Sequence, residues 1–519
     1  MRSPASAVKL LAELRGADPV TALNDLSGRL DKVKAVPSHD ETARNDNLSL
    51  IQEAGDAHVS ALLAQFFAKP ADKPAMREAN WNTLSNYQKG LTVALCASAR
   101  LLLSEATTNP SLNVLGAAGA ARGLDASRTL AKVCLVRYLS VPPKLWQLAY
   151  AVHGDAEKAG CAAMPVRMHV AHKTLTNVTQ ELLRLLMLQS SAPEMMAPEQ
   201  IEVADRVIAQ LGGELTLRPR GVTDSPFCFA PASDRPPCRA AGQPRDPNTD
   251  IRYFGAGAGF NTLERLYKQL AIATTAEIPA FGKDIAPRVQ ISTLQHLLAF
   301  WGATSPYLPP ARTPATGTLQ VIHRYAGIWQ RLSRARSGVI ALTLAEDGDE
   351  AAQAPDTWTL LDAGGNELGA EISRPSYDWA RCGDMVGVLM HDDDECWLGV
   401  IRSMHAELGR SLRANIAILS RDPQAVEVRV LIGKDEANVY TEATARQFGF
   451  NLVRVIILPA ESAASQKPTM LLPPASWKEG RVYEVTGEKS ARYIRGVRLL
   501  RRGDDCVRAT FEWVSTAQP

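Results

Sequence analysis

The segment Arg331-Leu332-Ser333-Arg334-Ala335-Arg336 sets three guanidiniums close together in the chain. A planar, permanently charged fork is the side chain best suited to grip a phosphate and to stack on a flat ring. Further along, Asp362 precedes Gly364-Gly365. A carboxylate there can accept N–H groups from a ligand, or it can start a turn. The arginines can equally complement the negative end of the helix that carries them. On residue chemistry alone both readings stand for Arg331, Arg334, Arg336 and Asp362.

Other chemistry-bearing groups have plainer readings. Arg492, Arg495, Arg498, Arg501 and Arg502 flank Tyr493, but on a strand the period of two splits them between faces and suggests a charge-protected edge. Phe254-Gly255-Ala256-Gly257-Ala258-Gly259-Phe260 has G-x-G-x-G rather than G-x-G-x-x-G spacing, and reads as a helix start capped by Asn261 or Thr262. His169 and His172 share a helical face with no carboxylate at matching spacing, so packed or surface imidazoles are expected rather than metal ligands. The acidic run Asp392 to Glu395 lacks the glycine of a calcium loop and reads as a solvated hairpin tip. No Ser-His-Asp, Cys-His or paired-carboxylate set can be assembled, which points away from an enzyme and from any cofactor. The enzymatic alternative would gather His153, His169 or His172 with Asp155 or Glu181 among the helices.

These residues must be carried by several domains, because 519 residues exceed one core. A hydrophobic content of 46% and a charged content of 22% are those of a globular protein, and a net charge of +2 gives no overall field for DNA, RNA or anionic membrane. Met1 to Arg15 lacks the apolar stretch of a signal peptide, and no run of about 18 apolar residues offers a membrane span. A cytoplasmic location is therefore expected. The eight cysteines have no CxxC pair and read as reduced thiols.

Periodicity changes class in mid-chain. Residues 1–315 show helical spacing, with an irregular stretch near 212–250. Leu84, Tyr87, Leu91, Ala94, Leu95 and Leu102 share one helical face, Asp125 or Ser127 is expected to cap a helix, and a long helix is expected over Val166 to Leu188. A connecting helix is expected over 316–336. Short strands separated by Gly, Asp and Pro follow, enough for two small antiparallel β-barrel units over 337–424 and 425–519. The expected fold is α+β and multidomain.

Trp358 ahead of Asp362, Gly383-Asp384-Met385-Val386, Trp397-Leu398-Gly399-Val400-Ile401-Arg402, and Ile457-Leu458-Pro459-Ala460 with Met470-Leu471-Leu472-Pro473 stand in order along the chain. This series resembles a family of large betaproteobacterial cytoplasmic proteins with a C-terminal PilZ-like domain. The resemblance implies that 337–424 is a PilZ barrel and that cyclic diguanylate is the partner, its phosphate and guanine met by the arginines before the barrel and by the carboxylate of the D-x-S-x-x-G signature. Two departures stand out. The arginines follow R-x-x-R-x-R rather than R-x-x-x-R, and the signature has Gly364 for serine with its last glycine displaced to Gly369. The expected protein couples ligand binding through Arg331, Arg334, Arg336 and Asp362 to a helical module that binds a protein partner. The alternative is a scaffold that binds no nucleotide.

Overall fold

A computed structural model describes residues 14, 16–35, 40–67, 74–168, 174–221, 224–241, 250–272, 281–282, 284–337, 354–373, 379–390, 395–406, 411–431, 452–459, 467–486, 492–503 and 505–515. The chain divides into two compact units, residues 1–308 with 405–410 and residues 309–404 with 411–519.

In the first unit the described helices are α1 (Pro19–Ala35), α2 (Glu41–Phe67), α3 (Pro74–Ala106), α4 (Asn113–Leu135), α5 (Pro143–Lys158), α6 (Val178–Ser190), α7 (Pro198–Leu211), α8 (Gly259–Ile272) and α9 (Pro287–Trp301). Proline opens α5, α7 and α9, where its missing N–H has no partner to lose. The six residues assigned to one face of α3 are all buried. Close packing of α3 on α4 is set by glycine: a side chain at Gly123 would come within 3.3 Å of the Cys96 backbone. Asp125 and Ser127 lie inside α4 rather than capping a helix, because the helix already starts at Asn113. The helix expected from Val166 begins only at Val178, where Asn177 accepts the Gln180 N–H at 2.8 Å; Val166 instead pairs with Thr176 as an isolated bridge. The stretch expected to be irregular holds a small sheet of β1 (Thr216–Arg218), β2 (Phe227–Phe229), β3 (Cys238–Arg239) and β4 (Arg252–Gly255), in the order β1-β4-β2-β3.

The second unit is two closed six-stranded antiparallel barrels. The first contains β5 (Thr313–His323), β6 (Asp356–Gly364), β7 (Glu367–Glu371), β8 (Met385–Met390), β9 (Cys396–His405) and β10 (Arg413–Ser420), in the order β10-β7-β6-β5-β8-β9. The second contains β11 (Gln424–Val430), β12 (Leu452–Leu458), β13 (Thr469–Leu472), β14 (Val482–Val485), β15 (Arg492–Arg502) and β16 (Val507–Val514), in the order β11-β12-β13-β16-β15-β14. The α+β architecture with two barrels is therefore as expected. The connecting helix is shorter than expected, since Thr313 to His323 is the first barrel's opening strand and only Tyr325–Ser337 is helical (α10). The apolar run Val339 to Leu344, which the same alternation offers as a short strand, lies outside the described residues.

Between β5 and α10 the backbone turns at Arg324, whose φ is 68°. The buried side of α10, Tyr325, Ile328 and Leu332, then joins Leu389 and Leu398 of the first barrel and Ile456, Leu458 and Leu471 of the second in one apolar cluster. A separate cluster of Val428, Val455, Ile457, Met470, Leu472, Tyr483 and Phe511 lies within the second barrel.

Candidate functional site

Strands β6 and β7 are joined by Gly365-Asn366, with Gly364 opposite Glu367 and Gly365 at φ 57°, the left-handed conformation that a two-residue hairpin turn requires. That hairpin fixes Asp362 opposite Gly369, which in turn stands opposite Asn415 on β10. Around this row the first barrel assembles three arginines and two carboxylates. Arg312 bonds Asp362 at 3.3 Å, Asn415 at 2.5 Å and Glu367. Arg413 pairs with the other oxygen of Asp362, and Arg402 with Glu367 at 3.3 Å. Asn415 donates to the Ser403 hydroxyl at 2.7 Å, tying the cluster to β9.

The members differ in access. Glu367 is buried and Arg312 largely so, with side chains 7% and 13% exposed, whereas Arg402 and Arg413 keep 38% and 42% of their side-chain surface in solvent. Among the described residues the cluster thus holds three guanidiniums to two carboxylates, with two of the guanidiniums reachable from solvent. Such a set can take an anion through the arginines and ring N–H groups through Asp362.

Of the α10 arginines, Arg331 and Arg334 do not join it. Helix α10 packs against β5, β8, β11 and β12. Arg331 lies near Cys396, whose thiol burial pushes up to about 11, an effect that the Arg331 charge partly opposes. Cys396 stands opposite Leu389, Leu389 opposite Gln320 and Gln320 opposite Thr357, so Asp362 sits five residues farther along β6 than this level of the barrel, roughly 15 Å of strand. Arg334 is exposed. The side chain of Arg336 lies outside the described residues. Arg334 falls in the last turn of α10, where its charge complements the helix, whereas Arg331 stands in mid-helix.

The described members of the enzymatic alternative, His153, Asp155 and Glu181, each have partners of their own. His153 is buried, 3.1 Å from the Thr179 hydroxyl, and burial pulls its imidazole below the ordinary range while Glu157 partly opposes this. Asp155 pairs with Arg100 at 2.6 Å, and Glu181 is buried against Thr176 and Arg184, both at 2.6 Å. His169, His172 and residues 392–394 lie outside the described residues. Among the described residues no three His, Cys, Asp or Glu side chains could hold a metal ion. The glycine-rich segment before α8 is filled by the chain itself, since a Cβ at Gly255 would collide with the Asp224 carbonyl. On β15, Arg492 lies over the Trp513 ring at 4.1 Å and Arg495 pairs with Glu512 at 3.5 Å. Among the described residues no helix is long and apolar enough to cross a membrane.

Sequence reasoning named Asp362 but not Arg312, Arg402, Arg413, Glu367 or Asn415. Gly369, noted as a displaced signature glycine, and Arg402, at the end of the Trp397 run, were the available signals.

Residues 5–220 match the family model described as the N-terminal domain of the cyclic-di-GMP receptor FimW. No curated protein and no solved structure matches the chain.

Proposed function

We propose that this protein is a non-enzymatic receptor for cyclic diguanylate, and the match of residues 5–220 to the N-terminal domain of such a receptor carries the reading. In this proposal residues 1–315 present a protein partner with a helical surface, and the first barrel is a PilZ-like ligand module. The ligand would engage Asp362 with Arg402 and Arg413, the two guanidiniums of the cluster most open to solvent. Guanine would take over part of the Asp362 carboxylate, releasing Arg413 to a phosphate. Exchange of one charged partner for another keeps every group paired, which matters because an unpaired charge in a half-buried site is costly. Arg331, Arg334 and Arg336, the arginines ahead of the expected barrel, would then act on the helix that holds them or at most on an outlying phosphate.

Calorimetric titration of the full chain with cyclic diguanylate tests this. Saturable binding tighter than about millimolar, roughly 4 kcal/mol, supports a receptor, and no detectable binding rejects it. One observation favours a second reading: Asp362 already holds Arg312 and Arg413. A scaffold that binds no nucleotide would keep this cluster as internal structure, and the same titration separates the two.

A further inference from the structure

We infer that Cys228 and Cys238 form a reversible, peroxide-driven disulfide that clamps the β2–β3 hairpin. The two residues stand directly opposite each other in the antiparallel pair, and their sulfurs are 3.8 Å apart. Directly opposed antiparallel residues have Cα atoms about 4.5–5.5 Å apart, inside the window of about 4.4–6.8 Å that a disulfide needs. Only about 1.8 Å separates the present sulfur distance from a bond of about 2.05 Å, within reach of small side-chain rotations.

The surroundings hold this geometry in place. Phe229, next to Cys228, stacks on Tyr150 at 4.7 Å, and the Tyr150 hydroxyl donates to the Arg235 carbonyl at 3.1 Å, inside the hairpin loop. Arg239, next to Cys238, donates to the carbonyls of Phe300 and Gly302 at the end of α9 and lies over the Phe227 ring at 5.1 Å. Both strands are thus anchored to helices, so the sulfurs do not pay the usual entropy of finding each other.

Access is asymmetric in the way a two-cysteine redox pair requires. Strand β3 is the sheet edge, Cys238 is exposed and Cys228 is buried behind it. Cys96, Cys134, Cys161, Cys382, Cys396 and Cys506 are all buried. Sharing a proton with Cys228 also pulls the Cys238 thiol down to about 7, against the opposing effect of burial.

The chemistry balances with peroxide as the oxidant. The Cys238 thiolate attacks one peroxide oxygen, the O–O bond breaks, and sulfenic acid and water form after one proton is taken up. The Cys228 sulfur then attacks the Cys238 sulfur, an S–S bond replaces S–O, and a second water leaves with the Cys228 proton. Overall two thiols and one peroxide give one disulfide and two waters. A thiol reductant reverses it.

The test uses the full chain, treated with hydrogen peroxide and digested without reduction for mass mapping. A single intramolecular link between the Cys228 and Cys238 peptides, with two of the eight thiols lost and both recovered by reductant, is the expected result. Cys228→Ser should abolish the link and leave Cys238 trapped by a sulfenic-acid reagent. Hydrogen exchange of wild-type protein should slow over the hairpin loop at 230–237 on oxidation. Irreversible oxidation of Cys238 without a link, links through other cysteines, or dimers joined through Cys238 would each overturn the proposal.

Discussion

Asp362 and Arg413 meet across a strand that lies between them. Asp362 is on β6 and Arg413 on β10, with β7 in the middle, and the residue of β7 beneath their contact is Gly369. A Cβ at Gly369 would collide with the Asp362 carboxylate and come within 2.8 Å of the Arg413 guanidinium. The glycine that looks misplaced against the PilZ signature therefore has a steric reason here: it is the gap through which a charge pair spans three strands.

Gly369→Ala should force the pair apart or push the strand. Overpacking of this kind costs about 1–3 kcal/mol. Chemical denaturation should show that loss, while Gly365→Asn, which tolerates the left-handed turn, should cost much less. Equal effects of the two substitutions would mean that the gap at Gly369 is not what matters.

The two arginine groups make opposite forecasts for ligand binding. If the first-barrel cluster is the receptor site, Arg413→Ala should weaken cyclic diguanylate binding about tenfold or more, an effect of at least about 1.4 kcal/mol. Arg334→Ala, at an exposed position on α10, should leave affinity within about twofold and stability within about 0.5 kcal/mol. Titration of both variants decides, and the reverse pattern would return the site to the α10 arginines.

Much of this fold could be read from the chain because turn chemistry and alternation agree: the short strands expected after residue 337 are there, Met385 to Met390, Leu452 to Leu458 and Thr469 to Leu472 among them. Strand β5 could not. Leu319, Ile322, Tyr325, Ile328 and Leu332 keep a helix-like spacing across the strand-to-helix junction because the end of β5 is buried on both faces, with Leu319 and Val321 on one and Ile322 on the other against α10, and the break falls at Arg324, a residue with no turn preference. The site was legible only at Asp362. Its partners Arg312 and Arg413 lie about fifty residues away on either side, and only barrel closure shows which arginines reach it. The Cys228 and Cys238 pair was hidden because the hairpin strands that oppose them are very short.

A buried network in the helical unit should govern its acid stability. Asp205 accepts from both Arg128 and Lys132, the latter at 2.7 Å, while Asp125 and Glu202 hold those cations from the other side at 2.6 and 2.9 Å. Burial alone would raise the Asp205 carboxyl, but Arg128 and Lys132 outweigh it and hold the group well below the ordinary carboxylate range. A depressed folded value means that the stabilisation is complete above the unfolded value of about 3.9 and fades as pH falls toward the folded one. Asp205→Asn should cost about 3 kcal/mol at neutral pH. Urea unfolding should show the gap between variant and wild type narrowing below about pH 4. A gap that stays constant in acid would contradict the assignment.

The two barrels should open as one body. Tyr325 of α10 has its hydroxyl 2.6 Å from the Arg454 carbonyl and 3.0 Å from that of Leu471, and its backbone N–H donates to Asp505 at 2.7 Å. Trp329 donates to the Val426 carbonyl at 3.3 Å, and Leu398 of the first barrel shares the apolar cluster with Ile456, Leu458 and Leu471 of the second. Tyr325→Phe removes the hydroxyl donor from buried carbonyls and should cost about 1–2 kcal/mol. Leu398→Ala leaves a cavity in the shared cluster and should cost about 2–5 kcal/mol. Hydrogen exchange should then show amides of β8 and β9 and those of β12 and β13 losing protection by the same free energy, since a cooperative unit opens together. Loss confined to the first barrel's strands after Leu398→Ala would mean that the barrels unfold independently and that α10 fastens them without coupling them.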